Sequence, residues 1–290
     1  MKIKDILNNN KIVLSYEIFP PKKELLFEPV LEAINKLSNS KPDFISVTYG
    51  AGGSNNKETI NIASYIQNNL NITTLAHLTC SSSTKDEIID ILNNLKTNNI
   101  ENILALRGDI LENSSLNKTM YRYAFELIKD IKLFGNFCIG AACYPEGHIE
   151  SKSNIDDIEN LKFKVDSGVD FLTTQMFFDN NILYNFLYKI REKNINVPVI
   201  AGIMPVTNSK QISKICKLSG TNLPIRFKTI VDKFGNNTNA MKQAGIAYAT
   251  EQIIDLVANG IKGIHIYTMN KPDIAEGIKN NLSYIIGDNQ

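Results

Sequence analysis

The chain has 290 residues, 43% of them hydrophobic and 21% charged, with a formal net charge of +1 at neutral pH. A chain of this length buries most of the surface it exposes when unfolded, so it needs no disulfide or metal staple. A charge so near zero sets up no global field for nucleic acid or an anionic membrane, and neither is expected as a partner.

The N-terminus, Met1-Lys2-Ile3-Lys4, is basic, and the apolar run Ile12-Val13-Leu14 behind it is too short for a signal peptide. No stretch approaches the length of a membrane span, so the expected compartment is the cytoplasm. From residue 12 onward, short apolar runs recur at fairly even spacing: 12–19, 44–48, 73–78, 102–106, 137–142, 171–175, 197–202 and 263–267. They are rich in β-formers and nearly continuous in apolar character, as parallel strands buried on both faces are. Between them the spacing predicts amphipathic helices. Val30-Ile34-Leu37 is one, and Ile88-Ile89-Leu92-Leu95 is another, opened by a capping box with Glu87 three residues after Thr84. Others are read over 156–165, 182–190 and 212–218. The longest connection precedes the last strand. It holds a helix-like stretch at Pro224-Ile225-Arg226 and another over 240–258, read as extra helices. Eight strand–helix repeats predict an α/β fold, a single (β/α)8 TIM barrel, because a doubly wound sheet usually carries fewer strands. No linker divides the chain, so one domain is expected over residues 1–290.

Barrel chemistry sits at the carboxyl ends of the strands. Polar residues gather there: Glu17; Thr48 and Tyr49; His77; Arg107-Gly108-Asp109; Tyr144 and His148; Gln175; Tyr267. Glu17 lies inside the apolar run Val13–Phe19. A carboxyl there is either a general acid favoured by desolvation or a structural ion pair with a basic residue on a neighbouring strand. His77 is either a satisfied core residue or a ligand, and Asp109 either caps a turn or serves the site. The three histidines, His77, His148 and His265, follow no metal-ligand spacing, and no metal is expected. Gly50-Ala51-Gly52-Gly53-Ser54-Asn55 opens like a dinucleotide fingerprint but lacks its third glycine. Cys80, Cys138 and Cys143 lie in or beside apolar segments and, with Cys216, form no C-x-x-C pair, so buried thiols are expected.

Ser15-Tyr16-Glu17-Ile18-Phe19-Pro20-Pro21-Lys22 resembles the opening motif of the methylenetetrahydrofolate reductase family. Further matches follow in order: Ser46 to Ser54, Ala76 to Cys80, Leu104 to Asp109, Ala142 to His148, Thr174 to Asp179, Ala201 to Val206 and His265 to Asn270. The resemblance implies a barrel enzyme with non-covalent FAD and NADH or NADPH as co-substrate. Such an enzyme reduces 5,10-methylenetetrahydrofolate to 5-methyltetrahydrofolate in a ping-pong reaction that supplies methyl groups for methionine. It implies catalytic roles for Glu17, as general acid, and for Asp109, beside flavin and pterin. FAD contacts are implied for Thr48, Tyr49, Ala51, His77, Arg107, Gly108, Asp109, Tyr144, His148, Asp157, Asn160 and Lys164. Folate contacts are implied for Asp109, Gln175, Gln211, Tyr267 and Lys271, with Gln175 also meeting the nicotinamide.

The chain departs from the family pattern at Lys271 (often arginine), Ile215 (an aromatic in some members), Phe163 (a basic residue) and Val169 (commonly alanine). Its length matches the catalytic barrel alone, so no control through a C-terminal regulatory domain is expected. The expected partners are a small-molecule folate and further copies of the chain as a homo-oligomer. The alternatives are a barrel pterin methyltransferase and a non-catalytic folate- or flavin-binding protein. A flavin spectrum separates the first from the reductase, and bleaching by NADH separates the second.

Overall fold

A computed structural model describes residues 1–9, 11–21, 27–49, 56–108 and 121–287. Eight strands form its centre: β1 (Val13–Ile18), β2 (Phe44–Val47), β3 (Thr73–Thr79), β4 (Asn102–Leu106), β5 (Cys138–Cys143), β6 (Phe171–Thr174), β7 (Val199–Ile203) and β8 (Gly263–Ile266). They pair in chain order, all parallel, and β1 closes on β8. The expected (β/α)8 barrel is therefore the observed one. Alternation along each strand separates two environments. Leu14, Tyr16 and Ile18 of β1 join the apolar shell between strands and helices. Val13, Ser15 and Glu17 face the barrel interior.

The helices are α1 (Ile3–Asn8), α2 (Phe27–Ser38), α3 (Asn56–Ser64), α4 (Lys85–Thr97), α5 (Ala124–Phe134) and α6 (Asn154–Asp166). They continue with α7 (Asn180–Glu192), α8 (Ser209–Ser219), α9 (Ile225–Phe234), α10 (Thr238–Ala258) and α11 (Pro272–Leu282). The capping box of α4 forms as read: Glu87 N donates to Thr84 Oγ1 at 3.3 Å and Thr84 N to Glu87 Oε2 at 2.7 Å. Three helices, α8 to α10, lie between β7 and β8, where extra helices were expected. Val169 is 6% exposed and packs in the outer shell.

Helix α1 was not foreseen. Its Ile3, Ile6 and Leu7 follow i, i+3, i+4 spacing and plug the amino-terminal end of the barrel against Val13, Phe44, Leu75 and Phe171. Asn102, fully buried, pins it by accepting from Ile3 N at 2.8 Å and donating to Met1 O at 3.0 Å. Above the plug, Phe171 fills the interior so tightly that a Cβ on Gly140 would lie 2.5 Å from its Cζ. Phe44 stacks under His265 with ring centroids 6.1 Å apart. These rings floor the space that opens toward the carboxyl ends.

Candidate active site

The barrel mouth holds a cavity of about 400 Å³ whose wall includes Glu17, His77, Tyr144, Gln175, His265 and Tyr267. Glu17 comes from β1 by strand alternation and is 7% exposed. Its Oε2 lies 3.8 Å from Nε2 of His77 on β3 and 4.0 Å from Nε2 of His265 on β8. The nearest basic groups among the described residues are thus imidazoles, not a lysine or arginine, and the structural ion pair finds no permanent cation. Burial drives the His77 pKa down to about 4, against the pull of Glu17, so His77 is neutral at pH 7. His77 Nε2 is buried without a hydrogen-bond partner. It is therefore not a satisfied core histidine, and an unpaired buried nitrogen is a cost that a bound group relieves.

This gives a pH dependence with a definite sign. Unfolded His77 takes a proton near pH 6.5, and the folded side chain only near 4. Stability is full above about 6.5 and falls as pH drops through that window, because the unfolded state binds the extra proton. His77→Gln is expected to flatten this fall. Urea midpoints at pH 7 and pH 5 measure it, and an equal fall in parent and variant would sink the assignment.

Gln175 stands just past β6. Its backbone N donates to Cys143 O at 2.7 Å, and its side-chain Oε1 accepts from Met176 N at 2.9 Å. The phenol of Tyr267 donates to Thr174 O at 2.7 Å, and burial, helped by the Glu17 charge, pushes its pKa well up. Ile215 of α8 forms part of the same wall. Gln211 on α8 is exposed, and so is Lys271 ahead of α11, whose Nζ is 3.5 Å from Thr207 Oγ1. Neither lines the cavity.

A second cluster adjoins the first on β4, β5 and α6. Lys164 reaches in from α6 to donate to Ala142 O at 2.7 Å, with Nζ 5.9 Å over the Tyr144 ring. Among the described residues no carboxylate lies within 4 Å of this ammonium, and burial lowers its pKa. Tyr144 meets His148 edge-on at 4.6 Å, and burial lowers the His148 pKa as well. Arg107 grips Glu150 through both Nη atoms at 2.6 Å, holding that carboxyl below its usual range. Gly108, at φ +84, has no room for a side chain, since a Cβ would lie 2.8 Å from Ser81 Oγ. Asp157, 9% exposed, accepts from Ser151 Oγ at 3.0 Å, and Asn160 lies exposed one turn before Lys164. Thr48 N bonds Ile18 O at 2.9 Å, and burial pushes the Tyr49 pKa up to about 12. Phe163, on the same helix as Lys164, is 62% exposed. Asp109 and Ala51 lie outside the described residues.

His265 was not assigned a role from sequence. It shares the inward face of β8 with Tyr267, two residues on, and that alternation was the available signal. Its Nδ1 lies 2.7 Å from Ser15 Oγ and its Nε2 3.3 Å from Ser46 Oγ. The three thiols expected to be buried are so, and burial pushes that of Cys143 up to about 12. A larger hollow of about 530 Å³ lies between α8 and α9, beside Ile212, Cys216 and Val231. It contains none of the residues to which a catalytic, cofactor or folate role is assigned above.

Comparison with known proteins follows the same lines. The methylenetetrahydrofolate reductase family model matches residues 2–283. The 5,10-methylenetetrahydrofolate reductase of Buchnera aphidicola is 36% identical over 96% of this chain and 93% of its own length. That of Escherichia coli is 34% identical, over 94% and 91%. Methylenetetrahydrofolate reductase (NADH) 1 of Arabidopsis thaliana is 35% identical over 98% of this chain, which spans about half (50%) of that relative. A solved structure from Clostridium thermocellum, described as binding two copies of 5-methyl-5,6,7,8-tetrahydrofolic acid, shares the fold at 18% identity and a TM-score of 0.68. It covers 98% of this chain and 100% of its own. By its motifs, its barrel and these matches, the chain belongs to the methylenetetrahydrofolate reductase family.

Proposed function

We propose that residues 1–290 form a single catalytic domain that reduces 5,10-methylenetetrahydrofolate to 5-methyltetrahydrofolate, with non-covalent FAD and NADH or NADPH as donor. The observation that carries this reading is a carboxyl, Glu17, enclosed at a barrel-mouth cavity beside a histidine that is neutral at pH 7. Opening the folate's five-membered ring requires a proton on the departing nitrogen. We assign that donation to Glu17, whose carboxyl faces the cavity 3.8 Å from His77 Nε2. The ring-opened iminium then accepts a hydride, and the net reaction consumes one hydride and one proton. Asp109 would bind the pterin, and Gln175, Gln211, Tyr267 and Lys271 the rest of the folate.

The residues present fit FAD. Lys164 is a part-buried cation without a carboxylate within 4 Å among the described residues, an arrangement suited to a diphosphate. Gly108 keeps the backbone bare beside Ser81 and Thr79, and His77 Nε2 is a buried nitrogen in want of a partner. Thr48, Tyr49, Ala51, His77, Arg107, Gly108, Asp109, Tyr144, His148, Asp157, Asn160 and Lys164 would hold the cofactor. When bound, FAD supplies two-electron hydride transfer from nicotinamide to folate. For its part, the chain orients both ligands over one cavity, encloses the reacting atoms and delivers the proton. No described helix is long and apolar enough to cross a membrane.

One anaerobic titration tests the reading. The purified protein is expected to be yellow, to bleach with NADH or NADPH, and to regain colour with methylenetetrahydrofolate, and denaturation is expected to release intact FAD. FMN, or no flavin after reconstitution, would overturn it. Flavin that neither nucleotide bleaches would leave a passive binder, and flavin that bleaches but is not reoxidised by the folate would overturn the folate as acceptor.

A further inference from the structure

β6 and β7 share the shortest ladder in the barrel. They are in register only at Leu172–Val199 and Thr173–Ile200, while every other neighbouring pair has four or five such positions. Above Thr173 the paired register stops, just where Gln175 must be held. Side chains take over from the ladder there. Gly202 N of β7 donates to Thr174 Oγ1 at 2.9 Å. The Tyr267 hydroxyl, one residue past the end of β8, donates to Thr174 O at 2.7 Å. β7 lies between β8 and β6, so the phenol must pass over it, and it does so at Gly202. A Cβ there would press on Thr174 O and lie 2.6 Å from the Tyr267 hydroxyl. On the other side Gln175 N is tied to Cys143 O of β5 at 2.7 Å. Gln175 thus stands at the end of a strand fastened to β5 by its own backbone and to β7 and β8 through Thr174.

We propose that Tyr267 and Thr174 are positioning residues for Gln175. The Tyr267 hydroxyl serves the backbone of β6, and only the ring is offered to a ligand. Glycine at position 202 is what lets the brace pass. The inference rests on the reading that Gln175 meets folate and nicotinamide.

The test uses the FAD-loaded enzyme and four measurements: KM for NADH, KM for methylenetetrahydrofolate, FAD content and thermal midpoint. Tyr267→Phe removes one hydrogen bond and keeps the ring. It is expected to raise both KM values about 3- to 10-fold, with FAD content unchanged. Thr174→Val is expected to do the same, and Thr174→Ser, which keeps the oxygen, to restore the values. In a Gln175→Ala background, Tyr267→Phe is expected to add nothing, because contacts that act through one residue are not additive. Effects that add in the double variant overturn the proposal, as do unchanged KM values in Tyr267→Phe. A fall of FAD content and thermal midpoint together with all kinetic constants would reduce the brace to a structural one and overturn it too. If Gln175→Ala alone leaves both KM values untouched, the reading of Gln175 as a ligand contact fails first, and the inference falls with it.

Discussion

Glu17→Gln is expected to leave reduction of the flavin by NADH intact while slowing folate reduction by roughly a hundred- to ten-thousand-fold, the usual contribution of a positioned acid. Hydride transfer from nicotinamide needs stacking and no protein acid. Ring opening needs a transferable proton, which glutamine lacks at neutral pH. The substitution is nearly isosteric, and Glu17 contributes no side-chain hydrogen bond within 3.5 Å among the described residues, so fold and cofactor binding should survive. Stopped-flow absorbance follows each half-reaction separately. Reoxidation by methylenetetrahydrofolate at near the parent rate would make Glu17 a structural carboxyl after all.

Phe171→Ala is expected to be the most damaging of these changes to the fold. The ring is fully buried inside the barrel and packs against Gly140, with Leu104 on the far side of that glycine. Removing it takes away the burial of an aromatic ring and leaves a void that the closed strand array cannot collapse to fill. The cost is about 3–5 kcal/mol. With an unfolding entropy scaled to this length, the thermal midpoint should fall by roughly 5–8 °C. Urea unfolding checks it: the midpoint moves and the slope does not. A loss below about 1 kcal/mol would mean that the floor of the cavity relaxes, contrary to the tight contacts seen here.

The strands were legible because each is buried on both faces and therefore reads as an uninterrupted apolar run. Their ends were less so. The seventh run, expected over 197–202, begins as a strand only at Val199, because Pro198 has no N–H to give the ladder, although its carbonyl still accepts from Leu172 N at 2.8 Å. Helix α1 is hard to read because it is only six residues long and opens on the alternation Lys2-Ile3-Lys4, yet Ile3, Ile6 and Leu7 carry helical spacing. The turn of π-helix over Tyr65–Asn69 that extends α3 had no signal in the pattern. In the site, Glu17, His77, Tyr144, Gln175 and Tyr267 converge on one cavity as strand alternation requires. His265 fits no metal-ligand spacing, and only its place two residues before Tyr267 marks it as inward-facing. The exposed positions of Gln211 and Lys271 were not legible, because spacing along a helix or loop does not say how near the cavity it runs.

The pairing of β1 with β8 spans nearly the whole chain: Ser15 bonds His265 across 250 positions. Contacts of such separation form late, after the intervening loop entropy has been overcome. During synthesis the segment bearing Glu17 emerges first and waits for the last strand before its surroundings exist. Until then its apolar neighbours on β1 lie along an open sheet edge, a hazard for association with other chains. A ribosome-bound chain ending before Gly263 therefore has neither a closed barrel nor the His265 side of the cavity, and the reaction chamber is assembled only as the final strand docks.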